Sequence, residues 1–278
     1  MPFFTRDNAK IYFEDQGCGD PIIAVHGLIE NTTYWKNISE DISSQFRFIP
    51  MDMRGHGKTV VDGEPYGYDA DTVGDDIAAL ADALNLKRFH LLTHSTGGFA
   101  GVRYAMRESG RLASLILTDT ASATSVLPGD SVSLRAYHDK LARYFEKYDW
   151  DQIIANLWVN PAPFFRGIVD SLQAEELMAS AYEMVRQGDR LAIAGFVRSF
   201  YNDPDPRIEG LRKIKCPTLI IYGEKDDLFI EPSKLMAKEI PSALLIEYPD
   251  VGHMTALEIP RRLADDVMHF IGLHKMSK

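Results

Sequence analysis

Short apolar runs alternate along this chain with segments of helical spacing, and this alternation is the feature that most restricts its fold. The runs cover residues 21–25, 47–51, 89–92, 112–117, 218–222 and 243–248. Apolar runs of this length are typical of strands that are covered on both faces, as parallel sheets require. Strands that alternate with helices form mostly parallel sheets with right-handed crossovers. The sequence therefore predicts an α/β protein.

The alternation stops between residues 121 and 210. This stretch carries four amphipathic helical patterns without strands, and proline-rich turns lie at 161–163 and 204–206. A chain of 278 residues, 45% of them hydrophobic, is long enough for one core and one insertion. We therefore expect a core formed by residues 1–120 and 211–278, and a helical cap, or lid, formed by residues 121–210.

Ser95 lies at the corner between the apolar run 89–92 and a helical pattern that covers residues 96–106. Small residues around a serine at a strand-to-helix corner let the two elements cross closely. The side chain then projects above the sheet, while nearby backbone N–H groups point inward. This geometry suits a nucleophile. Serine is also a favoured N-cap residue, so a purely structural role for Ser95 is the alternative.

The corner resembles that of the α/β-hydrolase superfamily, whose G-x-S-x-G motif is matched by Thr93-His94-Ser95-Thr96-Gly97. Thr93 stands in place of the usual first glycine, and its branched Cβ is expected to crowd the crossing of strand and helix. The resemblance implies an α/β-hydrolase fold: a mostly parallel, eight-stranded sheet flanked by helices, with the cap inserted. It also implies an oxyanion hole formed by the backbone N–H groups of Leu28 and Thr96.

Two further motifs of the superfamily supply partners for Ser95. His253 stands in Gly252-His253-x4-Glu258-x-Pro260, which resembles the catalytic-histidine loop, and Asp226 follows Gly223 in a G-x-x-D arrangement. The chain order serine, aspartate, histidine is the one expected for this fold. A serine hydroxyl needs a base, which a carboxylate orients. We therefore predict that Ser95, Asp226 and His253 form a catalytic triad.

We expect other titratable residues near these motifs to have structural or binding roles and not to belong to the triad. Asp119 follows the strand after the nucleophile, where some superfamily members keep their acid, but we expect it to cap the turn after Thr118. His94 is expected to pack beside the corner or line the site rather than act as the base. We take His26, His94 and Trp158 as candidate substrate contacts.

Composition and motifs limit the partners of the protein. The histidines lack the spacing of metal ligands, and neither a G-x-G-x-x-G nor a Walker loop occurs, so we expect no metal and no cofactor. A net charge of −10 argues against nucleic acid and anionic membranes as partners. The aromatic residues of the cap favour a small apolar or aromatic substrate; the alternative, that they only pack the cap on itself, stays open. Homo-oligomerisation stays open.

Two features of the sequence bear on where the protein works. The N-terminal ten residues lack the continuous apolar segment of a secretory signal. The sequence also has no apolar run near the twenty residues of a membrane span. We therefore expect a cytoplasmic protein.

These observations favour a serine hydrolase that cleaves a carboxylic ester or lactone through an acyl-serine intermediate. The whole chain resembles the esterase, enol-lactonase and cofactor-free haloperoxidase-like branch of the superfamily. The carbon–carbon bond hydrolases usually carry tryptophan after the catalytic histidine, where this chain has Met254. Two alternatives stay open. One is a cofactor-independent dioxygenase, because residues 92–98 resemble the S-H-S-H-G-G corner of ring-cleaving quinolone enzymes. The other is a ligand-binding receptor on a hydrolase fold.

Overall fold

The computed structural model describes residues 3–63, 68–123 and 131–276, without the side chains of residues 131, 132 and 134. Its strands are β1 (Phe3–Arg6), β2 (Ala9–Tyr12), β3 (Pro21–Val25), β4 (Arg47–Met51), β5 (Val60–Val61), β6 (Phe89–His94), β7 (Leu112–Thr118), β8 (Thr218–Gly223) and β9 (Ala243–Tyr248). Strands β4, β3, β6, β7, β8 and β9 form, in this spatial order, a sheet in which every neighbouring pair is parallel. The predicted parallel α/β sheet is confirmed.

This sheet has six strands within the described residues, so the expectation of eight was wrong. Strands β1 and β2 pair antiparallel around the turn at Asp7-Asn8, and β2 also pairs with β5. These three strands make a separate sheet. Beyond β2, isolated bridges from Phe13 and Gln16 join the chain to β4. The N-terminal strands therefore reach the edge of the main sheet without extending its ladder.

Helices flank the main sheet. The α-helices of the described residues are α1 (Lys36–Ser43), α2 (Ala70–Ala83), α3 (Ser95–Glu108), α4 (Ser131–Lys147), α5 (Trp150–Val159), α6 (Arg166–Val169), α7 (Ala174–Arg186), α8 (Arg190–Phe200), α9 (Ile208–Leu211), α10 (Ile230–Glu239), α11 (Thr255–Glu258) and α12 (Pro260–Leu273). Helix α1 packs against α12, and α2 packs against α3. Every residue of β3, β6, β7 and β8 is buried, as expected for strands covered on both faces. Among the described residues, no helix is both long and apolar enough to cross a membrane.

The order of the strands reverses beside β3, which lies between β4 and β6. In open α/β sheets, a crevice forms outside the carboxyl ends of the strands at such a reversal, and ligands bind there. The loop after β3 begins at His26, and Ser95 directly follows β6. The topology therefore brings the Leu28 loop and the Ser95 corner to one end of the sheet.

The helices α4 to α9, here called the helical segment, follow β7 and precede β8 in the chain. Four of them match the amphipathic helices expected from the sequence, and α6 and α9 are additional helices of four residues each. Side-chain caps define two of the starts: Asp149 forms a capping box with Gln152 at α5, and Asp189 accepts N–H groups at the start of α8. The division into core and cap stays a prediction.

Candidate active site

Ser95 adopts a backbone conformation that is rare for a residue with a side chain, because its φ of 47° lies in the left-handed region. Two hydrogen bonds hold it there: Gly97 N–H donates to His26 O at 3.0 Å, and Thr120 Oγ1 donates to Ser95 O at 2.6 Å. A Cβ added to Gly97 would lie 2.5 Å from His26 O, and one added to Gly98 would lie 2.2 Å from Thr120 Oγ1. The two glycines therefore allow the close crossing that holds Ser95 in this strained conformation.

Thr93 fits into the corner because helix α3 carries a glycine opposite it. A Cβ added to Gly101 would lie 2.7 Å from Thr93 Cγ2, so the threonine methyl fills the space that a side chain at position 101 would need. The hydroxyl of Thr93 donates to Ile116 O at 3.2 Å. The branched side chain of Thr93 is thus accommodated, because the facing position on α3 is a glycine.

Ser95, His253 and Asp226 form a continuous chain of hydrogen bonds. His253 Nε2 lies 3.0 Å from Ser95 Oγ, and His253 Nδ1 lies 2.7 Å from Asp226 Oδ2. A carboxylate only accepts, so His253 carries its proton on Nδ1 and its Nε2 is free to accept from Ser95. Burial lowers the pKa of His253, but the attraction and hydrogen bond of Asp226 outweigh burial and raise that pKa above its usual value. The arrangement can take a proton from the serine hydroxyl.

The orientation of His253 is set by groups other than Ser95. The carboxylate of Glu258 accepts the N–H of Gly252 at 2.8 Å and that of Met254 at 3.0 Å, so it holds the loop on both sides of the histidine. Phe229 stacks on the imidazole with 5.0 Å between ring centroids. The histidine ring is therefore held in place before any ligand binds.

Asp119, the alternative acid, has different partners. Its carboxylate accepts the N–H of Gly223 at 3.0 Å and the hydroxyl of Thr255 at 2.9 Å. Burial and the nearby Asp226 raise the pKa of Asp119. Asp119 thus ties the end of β7 to the end of β8 and to α11, instead of capping its own turn, and the hydrogen-bond partner of His253 is Asp226.

Leu28 and Thr96 line the same cavity as Ser95. Leu28 lies in the loop after β3, and Thr96 lies in the first turn of α3, where backbone N–H groups have no acceptor within the helix. The Thr96 hydroxyl is hydrogen bonded to the hydroxyl of Tyr201, which directly follows α8. Donation from the two N–H groups to a substrate oxygen stays a prediction.

The cavity above Ser95 has a volume of about 250 Å³ and is mainly apolar. The loops of the core contribute Leu28, Ile29, Leu228 and Phe229, and the helical segment contributes Leu141, Phe145, Phe164 and Met184. Polar side chains are fewer: Glu30, Ser95, Thr96, Tyr137, His138, Tyr201 and His253. Such a cavity suits a small apolar ligand with a polar group at the serine.

The three candidate substrate contacts do not line this cavity, which corrects the expectation from the sequence. His26 is buried; its Nδ1 donates to the carbonyl of the next residue at 2.7 Å, and its Nε2 accepts the N–H of Met53 at 3.0 Å. His94 is buried and stacks on Tyr34 with 4.4 Å between ring centroids. Trp158 lies on α5, with 41% of its surface exposed. His26 and His94 thus support the loops behind the site, and Trp158 lies outside it.

Glu30 is a residue of the site that the sequence analysis missed. It is 4% exposed, lines the cavity, and accepts the N–H of Gly27 at 2.5 Å. Burial raises the pKa of Glu30 to about 8, against the lowering effects of the Gly27 N–H and His253. In the sequence, Glu30 is only one polar residue of a loop, and no motif or spacing distinguishes it.

Within the described residues, Asp119, Asp226 and His253 form a cluster in which one ligand atom from each lies within 4.8 Å of the others. His253 Nδ1 donates to Asp226, and Asp119 already accepts two hydrogen bonds. A metal ligand histidine must offer an unprotonated nitrogen, which Nδ1 does not provide here. The cluster is therefore explained by its hydrogen bonds.

A buried serine, histidine and aspartate at the carboxyl ends of parallel strands are typical of hydrolases with an α/β sheet. The chain belongs to the alpha/beta hydrolase fold family, whose model matches residues 20–260.

Individual relatives agree with this family. An AB hydrolase superfamily protein of Bacillus subtilis (strain 168) is 29% identical over 276 residues, which cover 96% of this chain and 97% of the relative. A non-heme chloroperoxidase of Streptomyces lividans is 27% identical over 295 residues, which cover 96% and 98%. Among solved structures, a thermophilic esterase from Thermogutta terrifontis superposes with a TM-score of 0.82 at 25% identity, covering 96% of this chain and 95% of the esterase.

Proposed function

We propose that this protein is a serine hydrolase that cleaves a carboxylic ester or lactone. Ser95 is the nucleophile, His253 is the general base and acid, and Asp226 orients the histidine. The observation that carries the proposal is the chain of hydrogen bonds, 3.0 Å from Ser95 Oγ to His253 Nε2 and 2.7 Å from His253 Nδ1 to Asp226 Oδ2. The similarity to an esterase over 96% of this chain is consistent with it.

Acylation begins when Ser95 Oγ bonds to the carbonyl carbon and its proton passes to His253 Nε2. The positive charge on the imidazole is stabilised by Asp226. When the tetrahedral intermediate collapses, the bond to the leaving oxygen breaks and His253 returns the proton to that oxygen. An ester releases its alcohol at this step, whereas a lactone opens and keeps the alcohol attached to the acyl group. The product is acyl-Ser95 in both cases.

The negative charge that develops on the carbonyl oxygen needs donors that are already in place. The backbone N–H groups of Leu28 and Thr96 fill this role in the proposal, because both residues line the cavity with Ser95. Fixed donors of this kind usually make the largest electrostatic contribution to catalysis of acyl transfer. The same two groups act again when water attacks the acyl-serine and His253 takes a proton of that water. The second tetrahedral intermediate then collapses: the bond to Ser95 Oγ breaks, His253 returns the proton to that oxygen, and the carboxylic acid is released.

The substrate has a small apolar or aromatic acyl group in this proposal. A cavity of about 250 Å³ with side chains such as Phe145, Phe164 and Met184 favours such a group. Residues 121–210 act as the lid that closes over it and limits the access of water to the acyl-serine.

The test is hydrolysis of p-nitrophenyl esters of increasing acyl length, together with several lactones, by wild type and Ser95→Ala. We expect wild type to turn over the shorter esters and Ser95→Ala to lose at least about 10³-fold in kcat. Ser39→Ala is the matched control, since Ser39 is also a buried serine, 9% exposed like Ser95, but donates to the carbonyl of Trp35, the residue directly before α1. The control should retain wild-type turnover.

The two alternatives predict other results. If His253 and Asp226 only deprotonated a heteroaromatic substrate for reaction with oxygen, esters would not be cleaved and oxygen uptake would survive in Ser95→Ala. A ligand-binding receptor would bind an ester or lactone and release no more than about one product per protein. Ester turnover by Ser95→Ala at the wild-type rate would contradict the proposed mechanism.

A further inference from the structure

The carboxyl group of Glu30 lies between the nucleophile and a buried histidine. Its Oε2 accepts the N–H of Gly27 at 2.5 Å, and its Oε1 lies 3.3 Å from His94 Nε2. A Cβ added to Gly27 would lie 2.9 Å from Glu30 Oε2 and 3.0 Å from Ser95 Cβ. Glu30 therefore lies against the loop that leads from β3 to Leu28, on the side of that loop where Ser95 is.

The hydrogen bonds of His94 determine which of its nitrogens carries a proton. The Thr118 hydroxyl donates to Thr93 O at 3.1 Å, so it has no second proton for the histidine. His94 Nδ1, 3.2 Å from Thr118 Oγ1, is then the donor in that pair. In a neutral His94, Nε2 is consequently unprotonated; within the described residues this buried nitrogen has no hydrogen-bond partner, and Glu30 Oε1 lies 3.3 Å from it.

Two lone pairs 3.3 Å apart in a buried site repel each other unless a proton lies between them. Glu30 is 4% exposed and His94 is fully buried. A proton on the Glu30 carboxyl removes this repulsion. A protonated Glu30 can donate from Oε1 to His94 and still accept the Gly27 N–H at Oε2, so both carboxyl oxygens are used.

We propose that Glu30 is a positioning residue for the oxyanion hole; this inference rests on the proposed function. The proton that Glu30 shares with His94 keeps the carboxyl group beside the hole uncharged. Accepting the Gly27 N–H, Glu30 fixes the short loop from which Leu28 presents its own N–H. When the shared proton is lost, a carboxylate faces the developing oxyanion, and turnover falls.

The loop needs such an anchor because its backbone is strained. Ile29, between Leu28 and Glu30, has a φ of 59°, which is unfavourable for a β-branched residue. Glu30 N–H returns to Gly27 O at 3.4 Å, and the Asn31 side chain donates to Met184 O at 3.0 Å. The Glu30 side chain and these two bonds hold the loop in its conformation.

The groups around Glu30 determine the direction of the pH effect. His94 and several further titratable groups face Glu30, or face His94 from behind it: His26, Tyr34, Asp119, Tyr201, Asp226 and His253. Burial lowers the pKa of His94 well below its usual value, and burial raises the pKa of Glu30 to about 8. Burial also raises the pKa values of Tyr34 and Tyr201, so both stay neutral. Glu30 is thus uncharged below about pH 8 and anionic above it.

The experiment compares the pH profiles of kcat for wild type, Glu30→Gln and Glu30→Ala, with a p-nitrophenyl ester and correction for spontaneous hydrolysis. Wild-type kcat should fall above about pH 8, approaching tenfold for each further pH unit. In Glu30→Gln, the amide oxygen still accepts the Gly27 N–H and the amide N–H donates to His94. This variant should keep wild-type kcat at pH 7 to within about threefold and lose the alkaline decline. Glu30→Ala, which keeps neither hydrogen bond, should lose about tenfold or more at every pH.

Asp52→Asn is the matched control. Asp52 is a second buried carboxyl that accepts two backbone N–H groups, from Thr32 and Lys58, but it does not line the cavity. The alkaline decline should persist in this variant. An infrared difference spectrum between wild type and Glu30→Gln should show a protonated carboxyl at pH 7 that disappears above about pH 8.

A purely structural role for Glu30 predicts a different pattern. An alkaline decline that persists unchanged in Glu30→Gln would overturn the inference while the proposed function stands, and so would an ionised Glu30 at pH 7. Failure of wild type to cleave any ester would overturn the proposed function and the role of Glu30 in it. The two failures are therefore distinguishable.

Discussion

The loops of the core and the helical segment line one cavity with different chemistry. The loops that follow β3, β6 and β9 supply Glu30, Ser95 and His253, which are buried and held by hydrogen bonds to their own backbone or to each other. The helical segment supplies mainly apolar surface, such as Phe145 and Met184, with few polar groups. Under the proposed function, we expect the loops of the core to determine the reaction and the helical segment to determine which acyl group fits.

Replacement of Asp226 tests whether the loops of the core determine the reaction, and it has the largest expected effect. Asp226→Asn keeps the size of the side chain, but its amide can stabilise the wrong tautomer of His253, so kcat should fall by about 10³- to 10⁴-fold. The neighbouring Asp227 is the matched control, because its side chain is 76% exposed and forms an ion pair with Arg166 at 3.7 Å. Asp227→Asn should keep kcat within about twofold. Equal losses in the two variants would contradict the assignment of Asp226.

The close packing of β6 against α3 can be tested by its effect on the free energy of unfolding. Gly101→Ala introduces a Cβ 2.7 Å from Thr93 Cγ2, and we expect the free energy of unfolding to fall by about 1–3 kcal/mol. Removing the threonine methyl makes room, so Thr93→Ala combined with Gly101→Ala should be less destabilised than the sum of the single variants. Urea unfolding measures both effects.

Gly272→Ala in α12 is the control for this comparison, because an added Cβ would have no atom of the described residues within 4 Å. It should stabilise the protein by about 0.5–1 kcal/mol, the helix propensity of alanine over glycine. Additive losses at positions 93 and 101 would show that the two residues do not share one space.

Substitutions in the helical segment should change the preference for acyl chain length and leave kcat largely unchanged. Met184→Ala enlarges the cavity, so kcat/KM for longer acyl esters should rise relative to shorter ones, by about fourfold for each additional methylene that becomes buried. Leu172→Ala, at a fully exposed position of the same segment, should leave the chain-length preference unchanged. If Met184→Ala lowered kcat by the same factor for every ester, the helical segment would affect the reaction itself. This result would contradict the separate roles of the core loops and the helical segment.

Most of the fold could be predicted from the sequence, because each central strand is a continuous apolar run between polar turns. The serine, aspartate and histidine could be chosen from many candidates because each lies in a recognisable motif within about five residues of the end of such a run. Their meeting in space then follows from the parallel direction of the strands. The number of strands could not be predicted, since Phe13 and Gln16 contact β4 only by isolated bridges, which leave no signal in the sequence.

The contacts around the triad were harder to predict, because a position in sequence does not say which way a side chain points. His94 is adjacent to Ser95 and yet stacks on Tyr34 behind the cavity. Glu30 belongs to the site only because the loop after β3 turns back on itself with Ile29 in the left-handed region. Gly101 did leave a signal: a glycine inside a helical pattern often marks a close approach, here that of Thr93.

The central claim is that Ser95 becomes acylated during turnover, and a p-nitrophenyl alkylphosphonate tests it most directly. This reagent transfers its phosphonyl group to an activated serine and releases p-nitrophenol. We expect release of one p-nitrophenol per protein, loss of ester turnover, and a phosphonyl mass on the peptide that contains Ser95, with none of these in Ser95→Ala. Ester turnover that continues in fully treated wild type, without an adduct on Ser95, would contradict the account.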